Sequence, residues 1–339
     1  MNRALAQGRL CERWWQWQIA LIMFLVSNGL LAGGGGAAER TPPIRIGVLT
    51  ESWGPTPTTV GLRDGLLALG YRENEQFVLG VRFTQGDLAA LPAAARELVQ
   101  LGIDLIFVSA SVSTAKAAQM ATDRTPIVFA GVGDPLGSGL VQSFARPGGN
   151  ITGVTNLSLD LSPKRLELFR QIIPTLKRVL YLYNPTDTYA MAQVGVYRDA
   201  ARRLGIELVE QTVHSEEEAQ ATLAQLQKGN VDGILPPDSL SFNVPGFVLE
   251  AASRQAIPTM FAAAFWVERG GLVSYGPDLY AMGRQSARLV DKILKGVDPR
   301  EIPVEVNPTI EFAINLKVAK ALGIAIAPEI LYQADRLVR

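Results

Sequence analysis

The chain has 339 residues, 48% of them hydrophobic, with 32 basic and 32 acidic side chains, one histidine and one cysteine. This length and apolar content allow two lobes of ordinary domain size, each with its own core. A formal charge of zero excludes the strongly basic surface that nucleic acid or an anionic membrane selects.

Residues 1–38 read as an export signal. Arg3, Arg9 and Arg13 give a positive start, Ile19 to Leu31 a mostly apolar stretch, and Gly36, Ala37 and Ala38 the small residues a signal peptidase requires. Ser27, Asn28 and Gly29 interrupt the apolar stretch, which is short for a membrane span; an uncleaved anchor is the other reading of the same residues. Cys11 precedes that stretch, so it is not placed as a lipid-bearing cysteine, and cleavage leaves a chain without thiols, suited to an oxidising compartment. Three arginines and Glu12 go with the signal, which leaves 29 basic and 31 acidic residues and a net charge of −2.

From Ile44 strands and helices alternate. Strands are expected at Ile44–Thr50, Phe77–Thr84, Ile103–Val108, Ile127–Ala130 and Ile151–Val154, and helices at Val60–Gly70 and Leu91–Leu101. The segment GVGDPLGSGLV (131–141) reads as a loop and a short helix. The rhythm then restarts. A helix at Pro163–Ile173 leads to a strand at Arg178–Tyr183, a helix at Tyr189–Leu204 capped by Gly205, and a strand at Ile206–Gln211. A helix at Glu216–Lys228, a strand at Val231–Leu235, a helix at Pro245–Gln255 and strands at Thr259–Ala262 and Gly271–Tyr275 complete the second series. Asp278–Lys295 is a strongly amphipathic helix, and residues 301–324 give an extended segment, a strand and a terminal helix. Such alternation argues open parallel α/β sheets, which bind ligands outside the carboxyl ends of their strands.

Within this pattern Ile103 to Met120 stands out. An apolar strand ends in Ser109, Ser111, Ser113 and Thr114, and an Ala-rich helix follows at once. Hydroxyls and free N–H groups at a helix start make a seat for an anion the size of a carboxylate. An ordinary strand-to-helix turn with a serine cap is the other reading. The glycine spacing and lysine of a phosphate-binding loop are missing, so nucleotide chemistry is not implied. Other strand ends offer Glu51, Ser52 and Asp134 in the first half, then Asn184, Thr186, Tyr189, Asp238, Ser239, Phe265, Trp266 and Tyr275 in the second.

Several segments together resemble one family. They are RIGVLT, GLRDGLLALGY, VSASVSTAKAA, PIVFAGVGDPLGSGLV, ARPGGNITGV, KRLELFRQIIP, GGLVSYGPDLYAMGRQSA and INLKVAKALG, spread from Ile44 to about Gly323. The chain is similar to the periplasmic substrate-binding components of ABC transporters, in a branch that includes aromatic amino acid binders. That resemblance implies an α/β type I periplasmic-binding-protein fold: two Rossmann-like parallel-sheet lobes, a ligand cleft and three inter-lobe crossings. The lobes would be 44–156 with 277–304, and 157–276 with 305–339, hinged at 154–158, 275–278 and 304–308. It implies a monomer exported to the periplasm, with a small solute, an ABC permease and its ATPase as partners, and neither cofactor nor nucleic acid.

By the same resemblance, Ser109, Ser111, Val112 and Ser113 would hold an anionic group, helped by Ser52. Asp238 or Asp134 would take an ammonium, with Asn184 and Ser239 beside it, and Tyr189, Phe265, Trp266 and Tyr275 would line a flat apolar part. Each has a plainer alternative: Asp134 as the cap of a following helix, Asp238 and Asn184 as turn residues, Trp266 as packing. Pro236 to Phe242 and Phe265-Trp266 match no ligand pattern of the family, so the solute class rests on this chemistry: an amino acid or aromatic carboxylate, with sugars the alternative. Two rivals differ in role: a ligand-responsive repressor would need a DNA-binding headpiece where the export signal stands, while a sensor or accessory protein would share every feature above. An enzyme is not indicated, since catalytic triads would rest on His214 alone and no G-x-S-x-G occurs. No metal-ligand spacing is present either.

Overall fold

Five consecutive buried residues end the first strand, β1 (Ile44–Thr50), in the computed structural model, which describes residues 43–339 except Ala110 and Leu157. The expected export signal and Cys11 lie outside the described residues. β1 pairs on one side with β2 (Phe77–Phe83) and on the other with β3 (Leu105–Ser109). β4 (Ile127–Val132) and β5 (Ile151–Thr155) follow, all parallel. The period of two in a strand sorts their side chains onto two buried faces. Ile106, Val108, Ile127 and Phe129 pack against helices α2 (Leu91–Gln100) and α3 (Val112–Ala121). Leu105, Phe107, Val128 and Ala130 pack against α1 (Pro57–Ala68) and a helix that arrives much later in the chain.

The chain leaves this sheet after Thr155. Helix α4 (Ser158–Ile172) leads to β6 (Arg178–Tyr183), α5 (Thr188–Leu204), β7 (Glu207–Thr212), α6 (Glu216–Ala224) and β8 (Gly233–Leu235). These strands form a parallel sheet in the order β7-β6-β8. Helix α7 (Val244–Gln255) and β9 (Met260–Phe261) continue it, with a parallel bridge from Ile234 to Thr259. Next come α8 (Ala264–Glu268) and β10 (Val273–Pro277).

After Pro277 the chain returns. Helix α9 (Leu279–Leu294) lays its apolar face on the first sheet, and β11 (Glu305–Val306) pairs with Val154 and Thr155 as that sheet's sixth strand. Residues 307–309 make the third crossing. β12 (Ile310–Asn315) runs antiparallel to β10, and α10 (Leu316–Ala321), α11 (Pro328–Gln333) and β13 (Arg336–Val338) end the chain on the second lobe.

Four local expectations are corrected. Residues 134–139 form turns rather than a short helix, because Asp134 Oδ1 accepts from Gly137 N and Gly139 takes a positive φ of 70°. Helix α4 begins at Ser158 and not at Pro163; a proline in the sixth position removes only the bond to the Leu159 carbonyl. Helices α8 and α11 and strand β13 were not expected, being short and without strong start signals. Between residues 178 and 338 the strand pairing is mixed and not wholly parallel.

Candidate functional site

Residues just beyond β4 and β2 lie against residues that follow β6 and β8. Tyr189, at the start of α5, lays its ring on Gly133 just beyond β4: a Cβ on that glycine would stand 2.8 Å from Tyr189 Cζ. On the other rim a Cβ on Gly86 would stand 3.2 Å from Trp53 Cζ2 and 3.3 Å from the Asn243 nitrogen, so the two lobes touch there as well. Phe242 and Asn243 both take left-handed φ values, 52° and 50°, a conformation that a bulky phenylalanine seldom adopts.

Glu51 lies at the end of β1 and has no solvent exposure. Its Oε1 accepts from the Ser111 hydroxyl and, at 2.5 Å, from Thr114 Oγ1. Ser111 is also the N-cap of α3, accepting from Thr114 N at 3.4 Å. Two hydroxyls of the serine-rich turn, those of Ser111 and Thr114, are thus taken by an acid of the chain itself. Glu51 Oε2 is buried and makes no hydrogen bond. Burial pushes the Glu51 carboxyl above its ordinary range; the two hydroxyls oppose this, and the negative charge of Asp187, from the other lobe, adds to it.

The rest of the first lobe's set is tied locally. Ser52 Oγ donates to the Gly54 carbonyl at 2.6 Å. Ser109 Oγ shares a 2.6 Å hydrogen bond with Thr56 Oγ1, and its carbonyl accepts from Thr50 Oγ1 at 2.8 Å. Val112 is buried at the first position of α3, and Ser113 is half-buried behind it. Asp134 closes its own turn, with Oδ1 2.7 Å from Gly137 N.

Across the cleft, Asn184 follows β6 and is 2% exposed. Its Oδ1 accepts from Thr186 N at 2.9 Å and Thr186 Oγ1 at 2.8 Å, while its Nδ2 is buried without a partner. Asp187 caps α5, accepting from Tyr189 N at 2.9 Å and Ala190 N at 3.2 Å. Ser239 is buried next to Asp238. An orphaned acceptor on one lobe and an orphaned donor on the other suit a solute with both polarities.

Asp238 is committed elsewhere. Its Oδ1 accepts from Arg165 Nη1 at 2.9 Å, and its Oδ2 from the Ser158 hydroxyl and, at 3.4 Å, Tyr189 Oη. Arg165 is wholly buried, so the charge expected to receive an ammonium is already balanced within the protein. Arg165 was not expected in the site, yet a signal existed: with Ser162, Leu166, Phe169 and Ile172 it falls on the buried stripe of α4, where a cation needs a partner. Phe265 stacks under Arg269, whose Cζ is 3.4 Å from the ring centroid, and meets Trp266 edge-on; Trp266 in turn stacks on Phe261. Both aromatics thus pack around α8. Tyr275 packs edge-on against Phe312 with centroids 6.1 Å apart, and its carbonyl accepts from Arg165 Nε at 2.7 Å.

Comparison with known proteins gives one consistent result. The family model for ABC transporter substrate binding proteins matches residues 44–338. A tyrosine-binding protein of Clostridioides difficile is 30% identical over 287 residues, which cover 84% of this chain and 82% of that protein. An ABC domain in complex with L-Trp from Streptococcus pneumonia is 28% identical, covers 87% of this chain and 100% of its own, and has a TM-score of 0.77. The ligand-free, open structure of a substrate binding protein with adhesive properties from Clostridium difficile is 26% identical, over 87% and 99% of the two chains, with a TM-score of 0.61.

Proposed function

Because the chain belongs to the ABC transporter substrate binding protein family, a family of solute-binding proteins and not of enzymes, we propose that it is the exported receptor of an importer. It traps an amino acid with an aromatic side chain between its lobes and presents the closed form to a membrane permease. The observation that carries the reading is the state of the lobes. At nearly equal identity and coverage, the TM-score is 0.77 against the L-Trp complex and 0.61 against the ligand-free open structure. This supports a closed arrangement held by contacts such as Tyr189 on Gly133. Closure of this kind is driven by a solute that binds the closed form more tightly than the open one.

The first strand ends suit such a solute: an orphaned carboxylate oxygen at Glu51, an orphaned amide at Asn184, and the Tyr189 ring against Gly133. The protein would act as a monomer, since a single chain supplies both walls of the cleft. The test is a thermal-shift and calorimetric screen of the purified protein, stripped of bound solute by unfolding and refolding. L-Trp, L-Tyr and L-Phe should each be compared with sugars, purines and aliphatic amino acids. At a hundredfold excess over Kd the true solute stabilises by about 2.7 kcal/mol. A shift confined to sugars or purines overturns the solute class. Unchanged uptake of the bound amino acid by cells lacking the protein overturns the import role.

A further inference from the structure

We propose that Asn243 is a positioning residue for closure, in a way that rests on the closed-form reading above and deepens it. Its left-handed backbone is the form that meets the facing lobe, it relaxes when the lobes part, and the cost of forming it helps set the solute affinity.

Backbone strain gathers at this contact. Among the described residues five besides glycine take a positive φ: Asn74, Gln85, Phe242, Asn243 and Ala256. Two have ordinary local reasons. Asn74 stands in a turn where its N–H donates to the Phe77 carbonyl, and Ala256 ends α7, where a left-handed residue is usual. The other three lie where the segments after β2 and β8 meet. Gln85 and Gly86 have φ values of 53° and 80°, and a Cβ on Gly86 would stand 3.3 Å from Asn243 N and 2.8 Å from Trp53 Cη2. Left-handed backbone outside glycine costs free energy and persists only where the surroundings enforce it.

The usual compensation for such a residue is missing at Asn243. It is the N-cap of α7, a place where asparagine ordinarily takes an extended φ while its side-chain oxygen accepts from an amide of the first turn. Its φ is 50° instead, and among the described residues the side chain makes no capping bond, although Oδ1 lies beside Gly246, the third residue of the helix. The Phe242 ring packs against the buried cluster that includes Val244, Phe247 and Val248, which anchors the turn in the second lobe.

One residue thus has two arrangements. In the closed form Asn243 is left-handed, uncapped and set against Gly86. With the lobes apart, an extended Asn243 caps α7 through the Gly246 N–H. Solute binding must supply the difference, so the apparent affinity is weaker than the solute contacts alone would give. A substitution that changes the cost of the left-handed form therefore changes affinity without touching the solute.

The experiment uses the full-length protein, stripped of solute, and two variants. Asn243→Thr keeps a capping oxygen but, being β-branched, resists the left-handed form. Asn243→Gly has no capping side chain and adopts that form freely. Urea midpoints are measured without solute, and affinities for L-tryptophan and L-tyrosine by calorimetry. Asn243→Thr should keep the midpoint and weaken binding about fivefold to tenfold; Asn243→Gly should lower the midpoint slightly and tighten binding about twofold to threefold. A turn that is left-handed in both states gives the reverse: Asn243→Gly raises the midpoint, Asn243→Thr lowers it, and affinity does not change. That result overturns the proposal, as does an affinity that neither variant alters. Should neither amino acid bind the parent, the solute class is wrong and the midpoints alone decide: Asn243→Thr at or above Asn243→Gly supports the relaxing turn, and the opposite order overturns it.

Discussion

Arg165 and Asp238 form a buried ion pair, with Nη1 2.9 Å from Oδ1 and the guanidinium wholly inaccessible. The same guanidinium donates from Nε to the Tyr275 carbonyl at 2.7 Å and from Nη2 to the Ser158 hydroxyl at 2.6 Å. Ser158 lies just past the first crossing, Tyr275 just before the second, and Asp238 at the end of β8. One side chain therefore ties the start of α4 and the β10 backbone to the turn that follows β8. Burial by itself would lower the guanidinium's proton affinity, but Asp238 and Tyr197 more than restore it, so the guanidinium stays charged at any physiological pH.

Asp238→Ala should therefore act on folding before it acts on binding. It leaves a buried guanidinium without its counter-charge, a loss of about 3–5 kcal/mol, read as a lower urea midpoint of the solute-free protein. Asp238→Asn, which retains hydrogen bonds to Ser158 and Arg165, should lose less. A variant with weakened solute binding and an unchanged midpoint would instead make Asp238 a solute contact.

Glu51 has the opposite sense with pH. A carboxyl held above its ordinary value of 4.5 keeps its proton in the folded chain at a pH where the unfolded chain has lost it. Its favourable contribution is complete below 4.5 and is lost as pH climbs through the raised value. Glu51→Gln has no proton to lose. Solute-free Glu51→Gln should match the parent in stability at acidic pH and exceed it increasingly as pH rises, until the gap levels off. Parallel urea titrations from pH 4 to pH 8 check this, and a gap that is constant with pH refutes it.

Much of this fold was legible from residue periodicity. The strands from Ile44 to Val154 alternate with helices, and their residues are buried on both faces, as a parallel sheet between two helix layers requires. The third crossing was less legible, because β11 is only two residues long and its pairing with Val154 and Thr155 is set by packing, not by local preference. In the site, the serine turn was visible as a cap and as a cluster of donors. Which acid would meet those donors depends on β1 lying beside β3, a contact between residues 60 apart in the chain. For the same reason Asp238 looked available: its partner Arg165 stands 73 residues away on a helix that reads as merely amphipathic.

The first lobe depends on a seam of small residues between α1 and α9. A Cβ on Gly283 would stand 2.8 Å from Leu62 N, and one on Gly61 would stand 3.0 Å from Arg284 N; both contacts are with backbone, which cannot rotate away. Gly283→Val should cost about 3 kcal/mol, measured as a lower thermal midpoint. Solute affinity, measured well below that midpoint, should fall little, because Gly61 and Gly283 bear on the backbone of Thr58, Leu62, Tyr280 and Arg284 and on none of the residues placed in the site.

Gly133→Ala should do the reverse, sparing the fold and penalising closure. Gly133 does not have a left-handed φ, so alanine fits its backbone. The new methyl would stand 2.7 Å from Tyr189 Oη and 2.8 Å from Cζ, in contact with a ring that belongs to the other lobe. That ring is held by its hydroxyl, which reaches Asp238 Oδ2 at 3.4 Å. An opening that parts the two residues removes this contact. The substitution thus raises the free energy of the closed state alone, and a penalty of about 1.4 kcal/mol there is a tenfold loss of apparent affinity. The thermal midpoint of the solute-free protein should stay within about 0.5 kcal/mol of the parent. Small-angle scattering at saturating solute would show closure reached only at higher solute concentration. Tyr189→Ala in the same chain should relieve the clash, and failure of that rescue would show that Gly133 acts through its own lobe.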